Sequence, residues 1–479
     1  MVMLLPLQIM LTGCLDDIEY THSASDKLRI GIDTLKMDTL LSETPSSYRY
    51  FTVHNPHDKA IRIANVRLEQ GVAQSPFKID VDGVPLTADE GNEFEVLAKD
   101  SIYVFVMANV PDADRDDVVS VEDRLLFTTA AGVEQQVVLT AAGQSVITLR
   151  GVEITGNEVM SARRPYQIMD SLSVKEGATL TLGAGVRMYF APEASLIVRG
   201  TLHVEGTVDE PVVMRGNRMG NMFDGQPYDR IPAQWGGVFF ASTSTGNVID
   251  HADIHSGTFG VYVDSAAIGS RPRLSLTNSI IHNTLYHGFE TRNASVYVGN
   301  TQLTNAGGDC VRVLGGKAEF VHCTIANLYL FGQAGHALNF ANFDDYGSPL
   351  PLDISFKNSI ITGFASDEVM GSRAADYPDV PFEYLFQNCL VNTPKPDDLE
   401  DHWVNCQWDV TEGDTALVQR DGNFSPAYDT KHLLFYFELS EKSKAIGTAD
   451  PAITQATFPD DRKGRARGTF PDMGCYQHP

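Results

Sequence analysis

Asn278-Ser279-Ile280-Ile281 and, shortly after it, Gly288-Phe289-Glu290-Thr291 decide how this chain is read, because both blocks recur in the same order. The first block also appears as His251-Ala252-Asp253-Ile254, Asn300-Thr301-Gln302-Leu303, His322-Cys323-Thr324-Ile325 and Asn358-Ser359-Ile360-Ile361. From Ile254 onward its fourth positions are 27, 22, 22 and 36 residues apart, and Asn388-Cys389-Leu390 adds a further copy. The second block returns in phase as Gly260-Val261-Tyr262-Val263, Cys310-Val311-Arg312-Val313 and Ala337-Leu338-Asn339-Phe340. A repeat with two apolar strand patches, turn residues between them and no helix signal is one turn of a coil of parallel strands. Successive turns stack about 4.8 Å apart, so equivalent residues form columns. Ile254, Ile281, Leu303, Ile325 and Ile361 are expected to fill the interior. Ser256, Asn283, Asn305 and Asn327 should hydrogen-bond along one corner.

Upstream, Leu172 to Leu182, Gly185 to Phe190 and Ser195 to Leu202 show the same short strands closed by Gly or Pro. From residue 165 to 395 the pattern resembles the repeats of pectate-lyase-like proteins, which implies a right-handed parallel β-helix, assigned here to 149–400. Two insertions interrupt it: Gly216 to Gln234, with Asn217, Arg218, Asp224, Asp229 and Arg230, and Asn342 to Pro351, with Asp344, Asp345 and Tyr346. Such loops carry function or cover an exposed rung. Ser443-Lys444-Ala445-Ile446-Gly447 and Pro471-Asp472-Met473-Gly474-Cys475-Tyr476-Gln477 resemble the closing module of bacterial β-helix surface proteins. The resemblance implies capping rungs over 401–479 that cover the last turn.

Ahead of the coil, short alternating runs bounded by turns predict an antiparallel β-sandwich over 28–148; examples are Tyr48 to Val53 before Asn55-Pro56, Ile61 to Leu68, and Ser101 to Ala108. The order Val53-His54-Asn55-Pro56, then Leu97-Ala98-Lys99-Asp100-Ser101, resembles immunoglobulin-like modules of the major-sperm-protein and spindle-protein type. The fold class is therefore all-β: an immunoglobulin-like β-sandwich followed by a single-stranded right-handed parallel β-helix with a C-terminal cap.

Residues 1–13 are apolar but too short to span a bilayer, and they end at Leu11-Thr12-Gly13-Cys14. This quartet resembles the lipobox of bacterial lipoproteins, which implies a cleaved signal peptide and lipid on Cys14. Over 14–27, Asp16, Asp17 and Glu19 begin a polar tether that resembles the acidic export signal of Bacteroidetes surface lipoproteins. The implied address is the outer membrane, facing outward, with a periplasm-facing lipoprotein as the alternative. The other cysteines, Cys310, Cys323, Cys389, Cys406 and Cys475, are odd in number and lack metal-type spacing. A formal charge of −26 argues against nucleic acid as a partner.

His287, Asp309 and His336 fall in one column just before the second block, the arrangement of an acid/base pair or a metal site. Tyr262, Glu290, Arg312 and Asn339 form an outward column beside it that suits sugar binding. Polysaccharide lyases need converging acidic calcium ligands and a base, and that set is not recognisable, so no cofactor, no metal and no committed catalytic residue are assigned. The sequence leaves the oligomeric state undetermined. The expectation is a non-catalytic surface lipoprotein, adhesin-like, that binds glycan or another surface. The alternatives are a polysaccharide lyase or glycoside hydrolase, and a structural envelope protein.

Overall fold

The structure is a computed structural model and describes residues 18–223, 225–396, 401–409, 421–424, 428–429 and 432–479. The leader, Cys14, Asp16, Asp17 and the loop residue Asp224 lie outside these. The chain divides into two compact units between Gln144 and Ser145. No helix among the described residues is long and apolar enough to cross a membrane.

The first unit is built from two five-stranded sheets. In Ser101–Ala108 the alternation puts Ile102, Val104, Val106 and Ala108 inside. Across the two sheets Phe51 meets Phe127 edge-on at 6.4 Å. Between the strands of its two sheets pairing is antiparallel with one departure from expectation: Thr34–Leu41 runs parallel to Glu134–Gln144. A parallel pair requires a long connection, which the intervening strands supply.

The strands of the second unit pair mostly in parallel, in an 11-stranded sheet and a 17-stranded sheet that bends into two faces. One turn shows the logic. Ile280–Thr284 lies in the smaller sheet, Phe289–Gly299 crosses both faces of the larger one, and Gln302–Ala306 returns to the smaller sheet on top of Ile280–Thr284. The repeats therefore coil as a parallel β-helix-like stack. Ile254, Ile281, Leu303, Ile325 and Ile361 pair in register and are all fully buried. A second interior column stacks Phe320 on Phe356 at 4.8 Å, Phe356 on Phe386 at 5.0 Å and Phe386 on Trp403 at 4.1 Å. Each fully buried side chain of this size contributes about 1.5–3 kcal/mol by leaving water. Trp235 is equally buried and stacks on Phe190 at 4.2 Å, as a packed turn residue should.

The corners explain the Asn and His positions. His251, Asn278, Asn300, His322, Asn358 and Asn388 have φ between 48° and 53°, the left-handed region that Asn tolerates because its amide bonds locally. Asn300 Nδ2 donates to Asn278 Oδ1 at 2.7 Å one turn away. At the other corner Asn305 Nδ2 reaches Asn283 Oδ1 at 3.4 Å, while Asn327 instead bonds the backbone of Ala306. The five described cysteines are all free.

Of the segment expected to form capping rungs, Trp403–Val404 and Gln407–Trp408 stack on the last turn, pairing with Phe386, Gln387, Leu390 and Val391, while described residues from Phe424 onward pack along a flank. Phe424, Phe437, Leu439, Ala445, Met473 and Cys475 pack onto Ala326, Leu328, Ile360 and Leu390, the outward face of the 11-stranded sheet. Tyr476 Oη donates to Gln302 at 2.7 Å, and Arg467 Nη2 to Asn300 at 2.8 Å. The cause is sequence alternation: in Ile360-Ile361 one side chain points in and the other points out, so the flank itself is apolar and needs cover.

Candidate functional site

The bend between strand blocks positions the site. Phe239, Tyr262, Glu290, Arg312 and Asn339 pair in register from turn to turn. Period-two alternation makes them the outward residues between buried neighbours such as Phe289 and Thr291. One position before each block, the backbone N–H groups of Gly260, Gly288 and Cys310 donate to the carbonyls of His287, Asp309 and His336. Both predicted columns therefore exist, side by side.

Asp309 joins them. It is 5% exposed, and its Oδ1 accepts the His336 backbone N–H at 3.0 Å while its Oδ2 accepts Asn339 Nδ2 at 3.0 Å. His287 Nδ1 lies 3.4 Å from the carboxylate and His336 Nδ1 lies 3.6 Å from it. His287 Nδ1 also accepts the Asp309 backbone N–H at 3.0 Å, which places the ring proton on Nε2. Burial pushes the His287 pKa down, against the pull of Glu290 and Asp309, so the ring stays neutral near pH 7.

Beside this lies a closed ring of four charges. Glu290, only 2% exposed, accepts Arg292 Nε at 3.0 Å and Arg312 Nη1 at 3.1 Å. Asp345 forms an ion pair with Arg292, its Oδ2 2.7 Å from Nη2, and also bonds Arg312, and the Arg312 bond holds its carboxyl below the usual range. Asp345 comes from the insertion at 342–351, which thereby folds onto the groove. In the aligned outward column Arg312 is the one arginine. Arg292, two residues past Glu290 and outside the repeated block, is a second one.

An aromatic strip continues the groove. Phe239 lies 5.9 Å from Phe259 and 6.0 Å from Tyr262, and Phe259 lies 5.2 Å from Tyr286. The Arg292 guanidinium sits 5.4 Å above the Tyr262 ring. Burial pushes the Tyr262 hydroxyl up to about 12, so it remains a neutral donor. Tyr286 is 52% exposed, which leaves its ring available to a ligand. The arrangement can stack the apolar face of a sugar and bond its hydroxyls. It is poorly made for acid/base chemistry, because Glu290 Oε1 is occupied by two guanidiniums and Asp309 by a backbone N–H and an amide.

No family model matches the chain. Over 69 residues, 14% of the chain, it is 39% identical to the protein bark beetle of Drosophila melanogaster, and it spans 2% of that protein's length. Among solved structures, PapD-like domain 7 of human CEP192 is 10% identical at a TM-score of 0.17, covering 29% of this chain and 97% of that one. The catalytic unit of a GH87 α-1,3-glucanase from Streptomyces thermodiastaticus is 10% identical at a TM-score of 0.25, covering 76% and 90%. A GH87 α-1,3-glucanase catalytic domain in complex with nigerose is 10% identical at a TM-score of 0.21, covering 81% and 92%. At these scores the functional argument rests on the side chains alone.

Proposed function

We propose that this chain is a cell-surface lipoprotein whose coil binds a neutral glycan without cleaving it. The observation that carries this reading is the charge-balanced ring of Glu290, Arg292, Arg312 and Asp345 set against the aromatic strip of Phe239, Phe259, Tyr262 and Tyr286. Both guanidiniums are already paired, so a uronate would have to displace Glu290 or Asp345, whereas a neutral sugar can stack and share the exposed donors. Cys14 carries the anchoring lipid in this reading, and the acidic residues after it direct the protein outward. The coil is right-handed, in line with the general hand of parallel crossovers, and the sandwich is an immunoglobulin-like spacer.

The test is affinity electrophoresis and calorimetry on neutral and uronate polysaccharides, with reducing ends and unsaturated products followed in parallel. Retention on a neutral glycan, weakened about tenfold by Tyr262→Ala, is expected; the loss of one stacking ring is worth about 1.4 kcal/mol. Turnover that disappears in His287→Ala or Asp309→Ala would establish the hydrolase or lyase alternative instead. Lipid labelling lost in Cys14→Ser tests the anchor, and protease shaving of intact cells tests the outward face.

A further inference from the structure

On the 11-stranded sheet, three side chains that the groove does not use converge. Asp253 and His255 leave one strand of the 11-stranded sheet on the same side, and His282 stands directly above His255 on the next turn. Asp253 Oδ1 lies 2.9 Å from His255 Nδ1 and 3.3 Å from His282 Nε2, and all three ligand atoms fall within 4.8 Å of one another. The two imidazoles stack at 4.8 Å with 26° between their planes.

We infer that Asp253, His255 and His282 form a binding site for one divalent transition-metal ion of the zinc class. A tetrahedral ion with bonds near 2.1 Å sets its ligand atoms roughly 3.4 Å apart, so the Asp253–His282 separation already fits and the others change by well under two ångströms. Two imidazoles and one carboxylate suit zinc, nickel, copper or iron, whereas calcium and magnesium take mostly oxygen. The β-sheet supplies rigidity, because register alone aligns His255 and His282. The competing positive charge, Arg215 on the preceding turn, is paired with Asp229 at 3.2 Å. His282 also lines a cavity of about 270 Å³ beneath the closing segment, which gives an ion a way in from solvent. Arg230 and Arg462 line that cavity, along with Lys463 in its ion pair with Glu438, so the two arginines are the groups that would favour an anion at an open coordination position.

The experiment uses the full chain stripped with a chelator and titrated calorimetrically with Zn²⁺ alone, then with Co²⁺ to read tetrahedral absorption. One ion per chain is expected. Asp253→Asn and His282→Ala should each weaken Zn²⁺ binding at least tenfold, and His203→Ala, an imidazole elsewhere on the coil, should leave it unchanged. Anomalous scattering at the zinc edge should place the ion between the three side chains. Thermal melts confirm that the variants fold, and His282→Asn replaces His282→Ala if the alanine does not. Unchanged stoichiometry and affinity in the folded Asp253→Asn, His282→Asn double variant, or an ion located elsewhere, overturns the assignment.

Discussion

At the scale of single residues, the groove is defined by how its charges cancel. Glu290 is almost wholly buried and holds both Arg292 and Arg312, so Glu290→Gln removes a charge that neither guanidinium can replace locally. The expected cost is about 2–4 kcal/mol, reduced from a fully buried pair because the arginines keep some water, and a denaturant midpoint measures it. The same change leaves one guanidinium in excess, so uronate polymers should gain affinity while neutral glycans lose it. Unaltered preference would mean that the ring does not set specificity. The pairing of Glu290 with Arg312 was legible in the sequence, because their spacing equals the repeat. Arg292 lies in the bend after the aligned block, and Asp345 belongs to an insertion that breaks the period, so repeat alignment alone could not bring either to Glu290. Asp253, His255 and His282 carry a readable signal, a histidine one turn above a histidine, on a face that the aligned groove columns do not include.

At the scale of elements, the corners do the joining. His322 sits at a left-handed corner, and its imidazole meets Thr454 Oγ1 at 2.9 Å and the Gly474 carbonyl at 3.3 Å, tying the short helix Pro451–Thr457 to the coil. Burial, with the Arg467 charge close by, drives its pKa well below the usual imidazole value. The folded state therefore holds His322 neutral while the unfolded chain protonates it near pH 6.5. The unfolded state binds more protons in that window, so stability is complete above about pH 6.5 and falls as pH drops, by up to about 1.4 kcal/mol per unit. Between pH 7.5 and 5.5, His322→Gln should lose about 1 kcal/mol less than the unmodified chain in denaturant titrations. Equal slopes would place the acid sensitivity in other groups. The sequence marked His322 as a corner, since it replaces Asn in the repeat, yet nothing local foretold its partner 132 residues later.

At the scale of the molecule, two separate cores share one sheet. The interior columns lie on one side of the 11-stranded sheet, and the closing segment covers the other with Phe437, Leu439, Met473 and Cys475. Alternation within Ile360-Ile361 and Cys389-Leu390 held this information, because an apolar residue facing outward demands a cover. What no repeat could tell was whether the cover would lie over the end or along the side. Since Phe437, Leu439, Met473 and Cys475 belong to the outer core and not to the interior one, the two cores should respond differently to injury. Met473 is 1% exposed, and Met473→Asp would bury a charge in the outer core alone. Trypsin should then cut rapidly at Arg462, Lys463 and Arg465 while a fragment spanning 145–396 persists. The uncovered flank, now presenting Ile360 and Leu390, should make the variant self-associate in light scattering. Simultaneous loss of the whole coil would instead show that the flank and the interior fold as one cooperative unit.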